Sequence, residues 1–271
     1  MKIAFASCSK IQNQKIQPAW KAIEDENPDH LLLLGDNVYS PWWRWSHRKM
    51  KKKYQRQFKE TNFKSLIQKV PFNAIWDDHD FGPNNIKGAH VSEKRKKKSL
   101  ELFHRYMNCS TNLPYVYHSF EIGDVKVIML DVRYYREKPH FKKDATILGV
   151  AQEQWLEQEL QHSKKYTIVC SGSCLTNGTE KLEKYDSYYP KLCSLLKGKE
   201  RTLFLSGDIH ENEFVEHDGF YEAISSGVGR DNLNNYGIIN FEDDKVSISL
   251  HGTRARDNKE KMIESSTWSL L

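Results

Sequence analysis

A chain of 271 residues with 28% charged and 38% hydrophobic residues is long enough to bury one substantial core, which excludes a disordered chain and makes a single domain over residues 1–271 the expectation. No apolar run approaches the roughly 20 residues that cross a bilayer, and Ile3-Ala4-Phe5-Ala6 after one lysine is too short for a signal-peptide apolar region, so a soluble cytoplasmic protein is expected. The five cysteines are irregularly spaced and form no paired CxxC zinc motif, which fits a reducing compartment, and the net charge of +5 is modest.

In chain order, Lys2 to Ala6, Leu31 to Leu34, Phe72 to Trp76, Val125 to Leu130, Tyr166 to Cys170 and Thr202 to Leu205 read as buried strands. Between them, Pro18 to Glu26, Tyr54 to Lys69, Glu93 to Met107 and Ala151 to His162 read as helices, and this alternation predicts an α/β core. From Phe220 the pattern turns to strands with few helices: Tyr221 to Ser225, Gly237 to Phe241 and Val246 to Leu250, the last two joined by the turn-like Asp243-Asp244. A second, antiparallel edge is implied. Arg254 to Leu271 lack strong periodicity and are expected to dock or fray. The basic runs Lys51-Lys52-Lys53 and Lys94-Arg95-Lys96-Lys97-Lys98 read as solvated helix faces or as contacts for an anionic partner.

Chemistry is concentrated just after the strands. Ser7-Cys8-Ser9 follows the first, Gly35-Asp36-Asn37-Val38-Tyr39 the second, Asp77-Asp78-His79-Asp80 the third, and Gly207-Asp208-Ile209-His210-Glu211 the sixth. In an open α/β sheet such loops face one crevice. Carboxylates gathered there would repel one another and lose solvation, so a cation is required. Two ions about 3.5–4 Å apart would share a bridging carboxylate and clamp the attacking and leaving oxygens of a phosphoryl group. A phenolate and a thiolate suit iron at one site, whereas an oxygen-rich neighbour suits Ca, Mg or Mn. Taken singly, Cys8 reads as a small buried hydrophobe, Gly35-Asp36 as a turn and His210 as a satisfied loop histidine. Three carboxylates within four positions directly after an apolar strand have no packing use, and that run carries the functional reading.

With Asn84-Asn85, Asp131-Val132-Arg133, Arg136, Leu148-Gly149, Gln152, Trp155-Leu156, Ser206 to His210 and Glu222 to Gly227, these blocks together resemble the alkaline phosphatase D (PhoD-like) family of calcineurin-like metallophosphoesterases. The resemblance implies a four-layer α/β/β/α sandwich of two mixed sheets with helices outside. It implies that Asp36 bridges two metals, that Cys8, Tyr39 and His210 bind a ferric-type ion, and that Asp78 and Asp208 serve a second ion, Ca, Mg, Mn or Zn. By the same likeness His79 contacts the phosphate or protonates the leaving group, Arg133 holds a phosphate oxygen, Asp77 orients its neighbours and Asn84 is a ligand or substrate contact. Cys8 stands where the wider calcineurin-like group carries Asp-x-His, which fits the PhoD-like branch.

The activity implied is hydrolysis of a phosphate ester by a metal-bound hydroxide. The alternatives are a phosphodiesterase acting on nucleic acid, nucleotide or phospholipid, and a catalytically silent phosphate-binding or nucleic-acid-binding module. Trp42, Trp43 and Trp45, among Arg44, Arg48 and lysines just after Tyr39, read either as packing at a helix start or as a lid selecting a nucleotide, nucleic-acid end or lipid.

Overall fold

The computed structural model describes residues 1–39, 45–107, 114–139, 143–162, 164–197, 201–230, 233–242 and 245–252, together with the strand backbone of 259–264. Two mixed sheets pack face to face. The first has the order β12-β11-β10-β1-β2-β3, with β1 Lys2–Ala6, β2 His30–Leu34, β3 Phe72–Ile75, β10 Tyr236–Glu242, β11 Lys245–His251 and β12 Lys259–Glu264. The second has the order β4-β5-β6-β7-β9-β8, with β4 His118–Ile122, β5 Val125–Met129, β6 Tyr166–Cys170, β7 Thr202–Ser206, β8 Asn212–His217 and β9 Phe220–Ser225. Strands β1, β2 and β3 are parallel to one another, as are β5, β6, β7 and β9, and antiparallel strands complete the edges.

The layering follows from the twofold alternation of side chains along a strand. Ile3 and Phe5 of β1 and Leu32 and Leu34 of β2 meet Val127, Met129, Ile168 and Leu205 in the core between the sheets. Ala4, Ala6, Leu31 and Leu33 point the other way, under Trp20 and Ile23 of α1 (Pro18–Asp25) and Phe103 of α5 (Glu93–Met107). On the second sheet, Ile128, Val169 and Phe204 face Leu156 and Leu160 of α6 (Val150–Gln161) and Leu192 and Leu196 of α7 (Tyr188–Lys197). Each central strand is thus buried on both faces, which explains its continuous apolar sequence.

The predicted four-layer sandwich and its antiparallel edge are present, with differences in individual elements. The stretch expected as one helix, Tyr54 to Lys69, is two: α2 (His47–Gln57) and α3 (Thr61–Lys69). They are separated because the Glu60 side chain accepts from Phe63 N at 2.6 Å and caps α3. Strands β4, β8 and β12 and helix α7 were not anticipated. Both β4 and β8 have mixed apolar and polar residues of intermediate burial, so they lack the dense apolar signature of the central strands. Asp243-Asp244 lies outside the described residues, although Glu242 and Lys245 on either side are paired in the β10–β11 ladder. Among the described residues no helix is long and apolar enough to cross a membrane.

Candidate metal centre

The parallel strands of both sheets deliver their C-terminal loops to the same end of the sandwich, and backbone bonds fix those loops to one another. Cys8 N donates to the Gly35 carbonyl at 3.1 Å and Ser9 N to the Asp36 carbonyl at 2.9 Å, tying the β1 loop to the β2 loop. Gly227 N and Val228 N, beyond β9, donate to the Ser7 carbonyl at 3.2 Å and so join the second sheet to the first. Gly35 is required at its position, since a Cβ there would lie 2.7 Å from the Asp77 Cβ.

Four of the residues nominated from sequence have left-handed backbones: Cys8 (φ 58°), Asp36 (φ 52°), Asp208 (φ 72°) and His210 (φ 58°). Each such non-glycine residue costs about 1–2 kcal/mol. The hydrogen bonds that hold these loops have the strand ends as their anchor, so the side chains are presented on a rigid frame.

The structure brings Cys8, Asp36, Tyr39 and His210 together. Cys8 Sγ is 3.7 Å from Asp36 Oδ2, and the Tyr39 hydroxyl is 3.5 Å from His210 Nε2. A second group overlaps the first at one residue: Asp36, Asp78 and His79 offer ligand atoms that lie within 4.8 Å of one another. Asp36 also accepts from His79 N through Oδ1 at 3.1 Å, and the Tyr39 and His79 rings are 4.2 Å apart. Asp208 shares with Asp36, Asp78, His79, His210 and Asn84 the lining of a cleft of about 370 Å³.

The electrostatics of this group are those of anions without enough counter-charge. Burial, followed by the charges of Asp78, Asp77, Asp80 and Asp208, pushes the Asp36 carboxyl far up. Burial and then Asp36 do the same to the Cys8 thiol and the Tyr39 phenol. Asp208 is raised to about 7 by burial and by Asp77. Asp78 differs: burial works to raise it, but Arg133, His79 and the Asn85 amide hold it below the usual carboxylate range. Burial lowers His79. Among the described residues, none of Asp36, Asp78 and Asp208 forms an ion pair with lysine or arginine, and His79 Nδ1 is buried without a hydrogen-bond partner. Buried polar atoms are normally satisfied, so carboxylates left without a counter-charge fit a bound cation cluster.

Of the expected residues, Cys8, Tyr39, Asp77 and Arg133 lie outside the cleft lining; the first two reach the site through Asp36 and His210. Arg133 is fully buried, its Nε and Nη2 donating to the two oxygens of Asp77 at 2.5 and 2.9 Å and its Nη1 to Glu180 at 2.6 Å. The fork expected to grip a phosphate is taken up by Asp77, whose buried carboxylate requires that partner. Asp77 therefore braces the loop, and Asp80 anchors it further by accepting from Asn37 N, Asp77 N and the Tyr54 hydroxyl at 3.1, 3.2 and 3.0 Å.

Trp45 packs against the helical core beneath the guanidinium of Arg95, whose Cζ is 5.1 Å from the ring centroid. Its neighbour Ser46 caps α2. Trp42 and Trp43 lie outside the described residues. Sequence reasoning did not nominate Arg230 or Asn177, which line the cleft. Arg230 Cζ lies 5.9 Å from the Tyr39 ring centroid. Its signal in the sequence was the glycine pair Gly227 and Gly229 in the loop after β9.

Two mixed sheets with outer helices, carrying a strand-end cluster of this composition, define a metal-dependent phosphoesterase. The sequence profile of the PhoD-like phosphatases matches residues 3–237, and the chain belongs to that family. A solved structure of PhoD superposes with a TM-score of 0.80 at 16% identity, covering 100% of this chain and 72% of that one. GAP50, the anchor in the inner membrane complex of Plasmodium, superposes with a TM-score of 0.56 at 13% identity, over 97% of this chain and 89% of that one. These two likenesses concern the fold. No curated protein sequence matches the chain.

Proposed function

We propose that this phosphoesterase uses two cations that would share Asp36: Cys8, Tyr39 and His210 would hold one of iron type, and Asp78 and Asp208 would hold a Ca, Mg, Mn or Zn ion. The observation that carries the reading is the position of Asp36, which belongs to both the Cys8–Tyr39–His210 group and the Asp78–His79 group. When bound, such cations would supply charge to neutralise the phosphoryl oxygens and a more acidic water for attack.

The chain's own residues orient and discharge the ester. His79, in the cleft wall beside Asp78, supplies an N–H to the leaving oxygen. Arg230 and Asn84 face the same cleft and position the non-bridging oxygens. Arg133 acts at one remove: by pairing with Asp77 it fixes the start of α4 (Asp78–Phe81), and with it the direction of Asp78. Cytoplasmic placement is part of the same proposal.

Turnover of 4-nitrophenyl phosphate and bis(4-nitrophenyl) phosphate by purified protein tests this. The expected result is hydrolysis of at least one ester, lost on chelation and restored by iron with a divalent ion. Protein that holds metal yet turns over neither ester would be a binding module.

A further inference from the structure

Two helices of the layer that covers the first sheet carry charge of one sign. Helix α2 has six basic residues, Arg48, Lys49, Lys51, Lys52, Lys53 and Arg56, and no acidic one. Near the start of α5 come Lys94, Arg95, Lys97 and Lys98, all exposed, whereas Lys96 is buried and pairs with Glu93 at 2.9 Å. Setting those ten aside from the 41 basic residues leaves 31 against 36 carboxylates, so the rest of the chain is net acidic. The modest overall charge of +5 hides a segregation of charge.

The two runs are distant in sequence and meet in the fold. His47 Nε2, at the start of α2, lies 3.2 Å from the Arg95 carbonyl and 3.3 Å from Ser99 Oγ. Burial lowers His47; the Arg95 carbonyl opposes this, and the charges of Lys98 and Arg95 add to it. Inward, both helices are fully occupied: Met50, Tyr54 and Phe103 lie in the core, the Tyr54 hydroxyl donates to Asp80 at 3.0 Å and Ser99 Oγ to the Phe81 carbonyl at 2.7 Å. Outward, Arg48, Lys51 and Lys52 share one helical face, as do Lys94, Lys97 and Lys98.

Among the described residues none of the ten forms an ion pair with a carboxylate, and Glu101, one turn beyond Lys98, does not pair with it. An ordinary solvated face mixes its signs. The helices on the opposite layer do so: Lys191 of α7 lies 2.8 Å from Glu157 and 3.7 Å from Glu153 of α6. Like charges a turn apart destabilise a helix, and cations in the first turns of α5 oppose its dipole, so these residues cost the fold something and bring it no packing.

We infer that α2 and α5 together form a docking surface for duplex nucleic acid, held through its phosphate backbone without regard to base sequence. A duplex carries one charge per about 1.7 Å of axis, which rewards several cations held on a rigid frame. A single strand is gripped by stacking its bases on exposed rings, and an anionic membrane by inserting apolar side chains. These helices offer neither: among the described residues the exposed large hydrophobic ones are Ile16, Tyr135 and Val150, none of them on α2 or α5. Docking of this kind does not depend on turnover at the metal centre, so it stands or falls apart from the phosphoesterase reading.

The test is fluorescence anisotropy of the full chain, as purified with its metals, against two labelled duplexes of unrelated sequence over a series of salt concentrations. Both duplexes are expected to bind equally, with log K falling linearly with log salt at a slope of about −4 or steeper, as about four or more neutralised phosphates require. K51E/K52E on α2 and K97E/K98E on α5 should each weaken binding about tenfold at low salt and reduce the slope by about 2, one phosphate for each lysine. K164E/K197E removes the same charge from exposed lysines beside the second sheet and should leave binding within about twofold.

All six lysines are exposed, so thermal unfolding should show each variant folded; the milder K51Q/K52Q and K97Q/K98Q replace any that is not. No saturable binding by the wild type, an equal loss in K164E/K197E, or a loss in the variant of one helix alone overturns the surface. Phosphatidylserine vesicles or polyglutamate bound at least as tightly as the duplex would assign it to another polyanion and overturn it as well.

Discussion

The metal centre and the arginine network below it are both dense clusters of buried charge, a few residues apart in space, yet they resolve their charge differently. In the network, Arg133 meets Asp77 and Glu180 in three ion-paired hydrogen bonds; with Arg136 and Lys87 it holds Glu180 below the usual carboxylate range, and it opposes the burial that raises Asp77. In the centre, burial first and neighbouring carboxylates second drive Asp36, Asp208, Cys8 and Tyr39 toward their protonated forms. The first cluster is complete within the chain. The second is complete only when something positive is added, and this is the physical difference between charge used to hold a loop and charge used to hold a ligand.

Three measurements sharpen the comparison, and the first is expected to give the largest effect. Replacing His79 by alanine removes an N–H at the leaving group but, on this account, no metal ligand. Turnover should fall about 10²–10⁴-fold while metal content is retained. Loss of the metals with the histidine would make His79 a ligand, as its 4.8 Å proximity to Asp36 and Asp78 permits.

Arg133→Met breaks the self-contained cluster instead. It strands the Asp77 and Glu180 carboxylates in the interior, so denaturant unfolding should show a loss of about 3–5 kcal/mol. Adding Asp77→Asn should recover part of that loss, because the stranded charge is removed. If Arg133→Met left stability intact and only raised KM for the ester, the guanidinium would be a phosphate contact after all.

Much of the site was legible because its chemistry conflicts with its neighbours. Asp77, Asp78 and Asp80 follow an apolar strand that ends at Ile75, where packing gives no reason for carboxylates. What could not be read was how each group spends its donors. Arg133 and Asp77 are 56 residues apart, and only the assembled sandwich shows that they satisfy each other rather than a ligand. The two basic runs were legible one at a time, but their meeting was not, since only the fold brings His47 of α2 against the Arg95 carbonyl of α5. In the fold, central strands announced themselves through burial on both faces. The edge strands β4 and β8 did not, because half-exposed strands tolerate the histidines and glutamates that they carry.

The most direct test of the account is elemental analysis of the purified protein beside Asp36→Asn. The account predicts about two metal ions per chain, one of them iron, in the wild type, with turnover and at least one ion lost together when the bridging carboxylate is neutralised. Full turnover by protein stripped of metal, or an Asp36→Asn variant that keeps both its ions and its activity, would contradict it.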